Sequence, residues 1–400
     1  MPMKAHDPHA SAPLEKSGRR KFLKAAGMLG MAASTIAAKG RTEESAYTPF
    51  TSAANGSSDG GGAGMTEPAN QANRSAQSGP GQIPKRPLGR TGVQVSAIGV
   101  GGHHLGDLKT VDDAVGFVQE AIDSGINFFD NCWEYHNGKS EDWLGRALRG
   151  KRDQVFLMTK VCTHGRDAKL AMKMLEESLR RLHTDHLDLW QAHAITYDND
   201  PDLAYAKGGV LEAFDQAKRQ GKVRFVGFSG HKDPAIHLRM IQLGYPFDTV
   251  QMPLNPLDAT FFSFEKIVLP EAIKRGIAPL GMKSMGGTAD AIKQGALTAE
   301  EALRYAMSLP VATTICGMDS LDVLRQNVRV ARGFTPMTAE QMQALRDHCA
   351  PVAADGRFEL YKVSIKYDNP ETRRPHDFPI DSQQKEIKEL IEQGGGQKKP

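Results

Sequence analysis

From Leu88 onward, short apolar runs alternate with amphipathic stretches eight times, and no other feature of this chain constrains its fold as strongly. The runs cover residues 95–101, 126–130, 155–161, 187–193, 223–229, 249–253, 277–282 and 311–317. Most are continuously apolar, the pattern of parallel strands covered on both faces. Between them lie helix signals. Thr110-Val111-Asp112-Asp113 opens the first stretch in capping-box form, Ala114, Val115, Val118, Ala121 and Ile122 follow at helical spacing, and Gly125 ends it. Ser140 and Gly150 bracket the second stretch. Leu175, Leu179 and Leu182 stripe the third, and Leu211, Phe214 and Ala217 the fourth before Gly221. Eight regular units predict closure into an α/β fold of the (β/α)8 TIM-barrel type. The rival doubly wound sheet would carry G-x-G-x-x-G after its first strand, and Gly99-Val100-Gly101-Gly102-His103-His104 lacks the third glycine.

Turn residues between two short extended runs at 88–95 predict an N-terminal hairpin capping the barrel bottom. Beyond the eighth unit, 351–400 is read as a C-terminal extension over the barrel, with residues 356–381 running along the surface near the active-site mouth. A net charge of +3 from nearly balanced acids and bases, with no basic stripe, gives no support to a nucleic-acid partner. The four cysteines, Cys132, Cys162, Cys316 and Cys349, lack CxxC spacing and read as core or pocket residues, with no metal site expected. A metal-dependent barrel hydrolase could draw on His103, His104, His193 and His231. On a strand, however, adjacent histidines face opposite sides.

Catalytic groups of a parallel barrel sit where its strands end, so polar residues closing apolar runs are the ones to inspect. Asp130 closes Phe128-Phe129-Asp130, Tyr135 follows five residues later, Lys160 closes Met158-Thr159-Lys160, and His193 closes Leu189-Trp190-Gln191-Ala192-His193. In this order, with Gly138-Lys139-Ser140-Glu141, Ser178-Leu179-Arg180-Arg181-Leu182 and Val226-Gly227-Phe228-Ser229 around them, they resemble the catalytic tetrad of the aldo-keto reductases. The resemblance runs from about residue 88 to 331. It implies a nicotinamide-dependent oxidoreductase that reduces a small-molecule carbonyl. Tyr135 would then be the proton donor, Lys160 would favour its ionisation, Asp130 would orient the ammonium, and His193 would position the substrate oxygen. A free tyrosine titrates at about 10, too high for ready proton exchange at neutral pH without such a cation.

On the nucleotide side the resemblance implies that Ser229 and Gln251 hold the carboxamide, with Gly230 standing where the family has asparagine. Met282 takes the place of a stacking aromatic ring, and Lys283 runs beside the pyrophosphate. Gly317, Gln326 and Asn327 form the adenosine end. The basic residues that grip a 2′-phosphate in many members correspond to Gly317 and Val323, which leaves Arg325 as the nearby cation. By the family's habit NADP(H) is favoured, with NAD(H) possible. An alternative within the same fold is a non-catalytic subunit that senses the nicotinamide nucleotide.

Ser17-Gly18-Arg19-Arg20-Lys21-Phe22-Leu23-Lys24 and a mildly apolar run to Ala38, too short to span a bilayer, resemble a twin-arginine signal. Residues 1–38 are accordingly read as a targeting segment and 39–83 as a disordered linker rich in Gly and Ser. The barrel would occupy 84–350. The implied partner is the twin-arginine export machinery. The implied location is the periplasm, or the cytoplasm where the signal goes unused, with no stable membrane span in the mature protein.

Overall fold

The computed structural model describes residues 79, 81–162, 166–364 and 367. The segment read as a signal, and residues 39–78 of the linker, lie outside them. Ile83 is already 4 % exposed and packs into the core. Two short antiparallel strands, β1 (Lys85–Pro87) and β2 (Gln94–Ser96), form the hairpin, with Arg86 opposite Val95. Eight parallel strands follow: β3 (Ile98–Gly101), β4 (Phe128–Asp130), β5 (Phe156–Val161), β6 (Leu187–Ala192), β7 (Val223–Ser229), β8 (Thr249–Pro253), β9 (Ala278–Met282) and β10 (Thr313–Gly317). They close into a barrel in sequence order, β10 pairing back onto β3. The apolar run 95–101 divides at Ala97, one half serving the hairpin and the other the barrel.

The first helix, Val111–Asp123, starts on the expected capping box, Thr110 Oγ1 accepting from Asp113 N at 3.1 Å. The second, Lys139–Ala147, starts one residue before Ser140, on Gly138 with φ 86°. Ser140 is therefore not its cap. Its hydroxyl instead donates to Gly102 O at 2.5 Å and ties the helix to the end of β3. His103 and His104 sit in the helical turn Gly102–Leu105, so strand alternation does not govern where they face.

Alternation inside the barrel separates structure from chemistry. Phe128, Phe156, Met158, Leu189, Ala278 and Leu280 form one apolar cluster with Leu88 and Val95 of the hairpin, which seals the N-terminal end. Phe156 stacks between Phe128 and Phe225, with centroids 5.3 and 6.3 Å apart. Two or four residues further along the same strands, the same inward parity falls on Asp130, Lys160, Gln191, Ser229 and Met282 at the C-terminal end, and Gln251 joins them in register with Ser229. The hydrophobic register thus delivers the polar residues to the mouth.

After the helix Ala339–Ala353 and the short helix Leu360–Val363, the described part of the extension departs from the expected surface run. Glu359, Tyr361 and Lys362 are buried. The ammonium of Lys362 donates to Asp258 Oδ1 at 2.7 Å, Glu359 Oε2 at 2.9 Å and Phe261 O at 2.7 Å. These charged residues are buried because the loop after β8 supplies their partners. Burial raises the Asp258 carboxyl to about 7 against the pull of Lys362. Lys362→Met strands two buried acids and is expected to cost about 3–5 kcal/mol, measured as a lower urea midpoint. A midpoint equal to wild type would show the network to be dispensable.

Among the described residues no helix is long and apolar enough to cross a membrane.

Candidate active site

Asp130, Lys160 and His193 come from the ends of three successive strands, and Tyr135 from the turn after β4. That turn is tight: His136 and Asn137 have φ of 51° and 55°, and Gly138 continues the left-handed run, which the chain tolerates at asparagine and glycine. Lys160, 1 % exposed, is ion-paired with Asp130 and donates to Asn131 O at 2.8 Å and to Tyr135 Oη at 3.3 Å. The rings of Tyr135 and His193 meet edge to face, 6.1 Å between centroids. All four expected residues therefore converge at the mouth.

Lys160 stands within hydrogen-bond reach of the phenol, and the resting site keeps that phenol protonated. Burial first, then the Asp130 carboxylate and the Cys132 thiolate, push the Tyr135 phenol well above the ordinary tyrosine value. With the ammonium committed to Asp130, the phenol keeps its proton through the neutral range and stands as a hydrogen-bonded donor.

Behind His193 lies a group that sequence reasoning passed over. Cys132 Sγ and Cys162 Sγ are 3.2 Å apart, and each lies within 3.4 Å of His193 Nδ1. Glu134 Oε1 is 3.0 Å from the same nitrogen. Burial alone would lower the imidazole, but Cys132 and Glu134 outweigh it and push it up to about 9. Burial raises Cys132, yet the hydrogen bond with Cys162 and the His193 charge bring it down to about 7. Arg166, fully buried and paired with Asp200, donates to His193 O at 2.7 Å and Ala194 O at 2.8 Å, fixing the end of β6. Each cysteine stands two residues beyond a tetrad member, Cys132 after Asp130 and Cys162 after Lys160. That offset from the tetrad is the one trace of the group in the sequence, and by itself it does not bring the two cysteines together.

On the nucleotide side Ser229 and Gln251 are paired in register between β7 and β8. Both are 1 % exposed, and Ser229 Oγ and Gln251 Oε1 find no partner among the described residues. Gly230 follows in a cramped position, where an added Cβ would meet Ile195 O at 2.4 Å, so an asparagine there would require the backbone at 195 to shift. Met282 is half-buried, its sulfur accepting from Gln251 Nε2 at 3.6 Å. Lys283, with φ 53°, points its ammonium over the rings of Tyr361 and Tyr367, at 5.1 and 4.9 Å. Burial and then Lys160 lower it to about 8. At the adenosine end Asn327 is buried with Nδ2 unpartnered, Gln326 lines an exposed groove with Arg304 and Arg329, and Gly317 lies under the His104 ring. Arg325 is engaged by Glu120 at 2.6 and 2.9 Å. Trp133, partly buried against the core, donates its Nε1–H to Glu177 at 2.9 Å.

Comparison with known proteins agrees with this geometry. The profile of the aldo/keto reductase family matches residues 97–293. The 6-dehydroglucose reductase of Novosphingobium aromaticivorans is 31 % identical over 217 residues, covering 50 % of this chain and 69 % of that protein. This chain belongs to the aldo/keto reductase family. An uncharacterized oxidoreductase of Bacillus subtilis is 25 % identical over 304 residues, 66 % of this chain and 96 % of that one. The aldo-keto reductase from Bacillus halodurans in its holo form superposes with a TM-score of 0.57 at 26 % identity, covering 67 % of this chain and 96 % of that structure.

An aldo/keto reductase is an NAD(P)-dependent oxidoreductase, and the residues present fit such a group. A carboxamide presents an acceptor oxygen and an amino group with two N–H donors. The unpartnered Ser229 hydroxyl and Gln251 carbonyl offer the complementary pair, and Asn327 Nδ2 offers a donor at the adenosine end.

Proposed function

We propose that this aldo/keto reductase reduces an aldehyde or ketone to the alcohol, with Tyr135 as proton donor. The observation that carries this reading is the phenol of Tyr135, kept protonated by its surroundings and held at 3.3 Å by the buried Lys160 ammonium. It lies at the same barrel mouth as Ser229 Oγ and Gln251 Oε1, two buried atoms without a partner among the described residues. When bound, the nicotinamide nucleotide supplies the hydride. His193 orients the carbonyl oxygen toward Tyr135, and the phenol donates its proton to that oxygen as charge develops there. Lys160 then stabilises the phenolate left behind, with Asp130 holding the ammonium in place. Ser229 and Gln251 fix the carboxamide, and Met282 packs its polarizable thioether where other members stack a ring.

NAD(H) is supported as well as NADP(H), because Gly317 offers no charge to a 2′-phosphate and Arg325 is tied to Glu120. The sensing alternative draws on Gly230 and Met282, which hold the nicotinamide less firmly than asparagine and an aromatic ring. Titrating the protein with NADPH and NADH by nucleotide fluorescence, then adding aldehydes, ketones and quinones, separates the readings. Binding followed by nucleotide oxidation is the expected result. Tight binding with no oxidation by any carbonyl would favour the sensor.

We further propose export by the twin-arginine route, supported by Arg19-Arg20 ahead of Phe22-Leu23-Lys24. That route carries folded proteins, so a nucleotide held tightly at the barrel mouth would travel with the enzyme. Arg19→Lys with Arg20→Lys is expected to retain the chain in the cytoplasm on fractionation, since the pair is not interchangeable with lysine at a recognition site. Unchanged export would remove this proposal.

A further inference from the structure

We infer that Cys132, Cys162, His193 and Glu134 form a metal site of the zinc type directly behind the reactive end of the barrel. The four candidate ligand atoms, two Sγ, Nδ1 and Oε1, all lie within 4.8 Å of one another. The separations are 3.2 Å between the sulfurs, 3.4 and 3.3 Å from each sulfur to Nδ1, and 3.0 Å from Nδ1 to the carboxylate. Tetrahedral zinc at about 2.3 Å from sulfur and about 2.0–2.2 Å from nitrogen or oxygen separates neighbouring ligand atoms by about 3.3–3.8 Å. Those four separations match such edges with a contraction of roughly half an ångström or less, and the two carboxylate–sulfur edges lie within the 4.8 Å that encloses the group, so an ion entering it needs a small rearrangement of the ligands. Thiolates and imidazole select a soft or borderline ion over magnesium or calcium.

The ligands are held as a metal site requires. They follow three successive strands, Cys132 and Glu134 after β4, Cys162 after β5 and His193 after β6, so the barrel sets their spacing. Cys132 N donates to Asn131 Oδ1 at 2.8 Å, and the backbone around Cys162 is clamped by Trp133 N to Lys160 O at 3.1 Å and His193 N to Val161 O at 2.9 Å. Arg166 holds the His193 carbonyl from the other side. The cysteines are buried, whereas the side chains of His193 and Glu134 retain 11 % and 12 % exposure at the mouth, which gives an ion a way in.

Four protein ligands close the coordination sphere, so the ion acts through His193 and does not bind substrate itself. With Nδ1 on the metal, the imidazole is fixed as the Nε2–H tautomer, one donor left for the carbonyl oxygen. This consequence rests on the reductase reading, whereas the metal site does not. His193 is then both a ligand and the residue that positions the substrate.

The test uses the full chain purified without a histidine tag. Plasma mass spectrometry is expected to find one zinc per chain, and Cys132→Ala and Cys162→Ala are each expected to lose it while keeping the circular dichroism spectrum and nucleotide binding of wild type. Cobalt(II) added to the stripped, reduced chain should give a thiolate charge-transfer band and the intense visible bands of a tetrahedral site, absent from Cys162→Ala. Stripping the metal should cut kcat/KM for a carbonyl by on the order of tenfold or more, with the nucleotide Kd unchanged. A reduced wild-type chain that binds neither zinc nor cobalt, or equal metal in wild type and both cysteine variants, would overturn the site. So would a Cys132–Cys162 disulfide whose reduction confers no cobalt binding. Bound metal with no turnover of any carbonyl would leave the site standing and remove the reductase reading. Carbonyl turnover by a reduced chain that takes up neither zinc nor cobalt would do the reverse.

Discussion

Tyr135→Phe is expected to lower carbonyl reduction by on the order of 10²–10⁴-fold, the usual contribution of a positioned general acid, with nucleotide affinity unchanged. The substitution deletes one oxygen from a ring otherwise held by its neighbours. The edge contacts of that ring with His103 and His193, at 5.3 and 6.1 Å, do not involve the hydroxyl. What disappears is the proton that the developing alkoxide would take and the hydrogen bond from Lys160. Because the loss falls on the transition state, kcat and kcat/KM should drop together. Steady-state kinetics beside a fluorescence titration of the nucleotide measures both. Turnover within a few-fold of wild type would remove Tyr135 as the acid.

Lys160→Met is expected to have two separable effects. The ion pair it breaks is buried, Lys160 and Asp130 side chains being 1 % and 5 % exposed, and a stranded buried carboxylate costs about 3–5 kcal/mol. Turnover should also fall by roughly two orders of magnitude or more, since the phenolate left after proton donation loses its cation. Adding Asp130→Asn removes the stranded charge. The double variant should regain much of the stability and none of the turnover. Recovery of turnover in the double variant would mean that Lys160 serves the fold alone, and denaturant midpoints with kcat on the two proteins decide it.

The barrel was legible because its strands are buried on both faces and so read as continuous apolar runs, and the period-two register carried Asp130, Lys160 and His193 to one end. Tyr135 was legible only through its spacing from Asp130, since a loop residue has no periodicity to place it. The group behind His193 was not, because Cys132 and Cys162 are 30 residues apart and no local ligand spacing exists between parallel strands that a helix separates. The same limit hid Arg166, whose partners are backbone carbonyls at 193 and 194. The burial of the extension's charges was hidden for another reason. Lys362 and Glu359 look solvent-facing by type, and only the position of Asp258 makes their burial favourable. Facing also decided Trp133 and Arg325, which the fold engages with Glu177 and Glu120.

The most direct measurement of the central claim is a single turnover of the protein loaded with NADPH or NADH deuterated at the transferring C4 position, with an aldehyde as substrate. The account predicts an alcohol carrying deuterium on the former carbonyl carbon, formed by wild type and not by Tyr135→Phe. Nucleotide that stays reduced and bound beside every carbonyl offered, or an alcohol without the label, would contradict it.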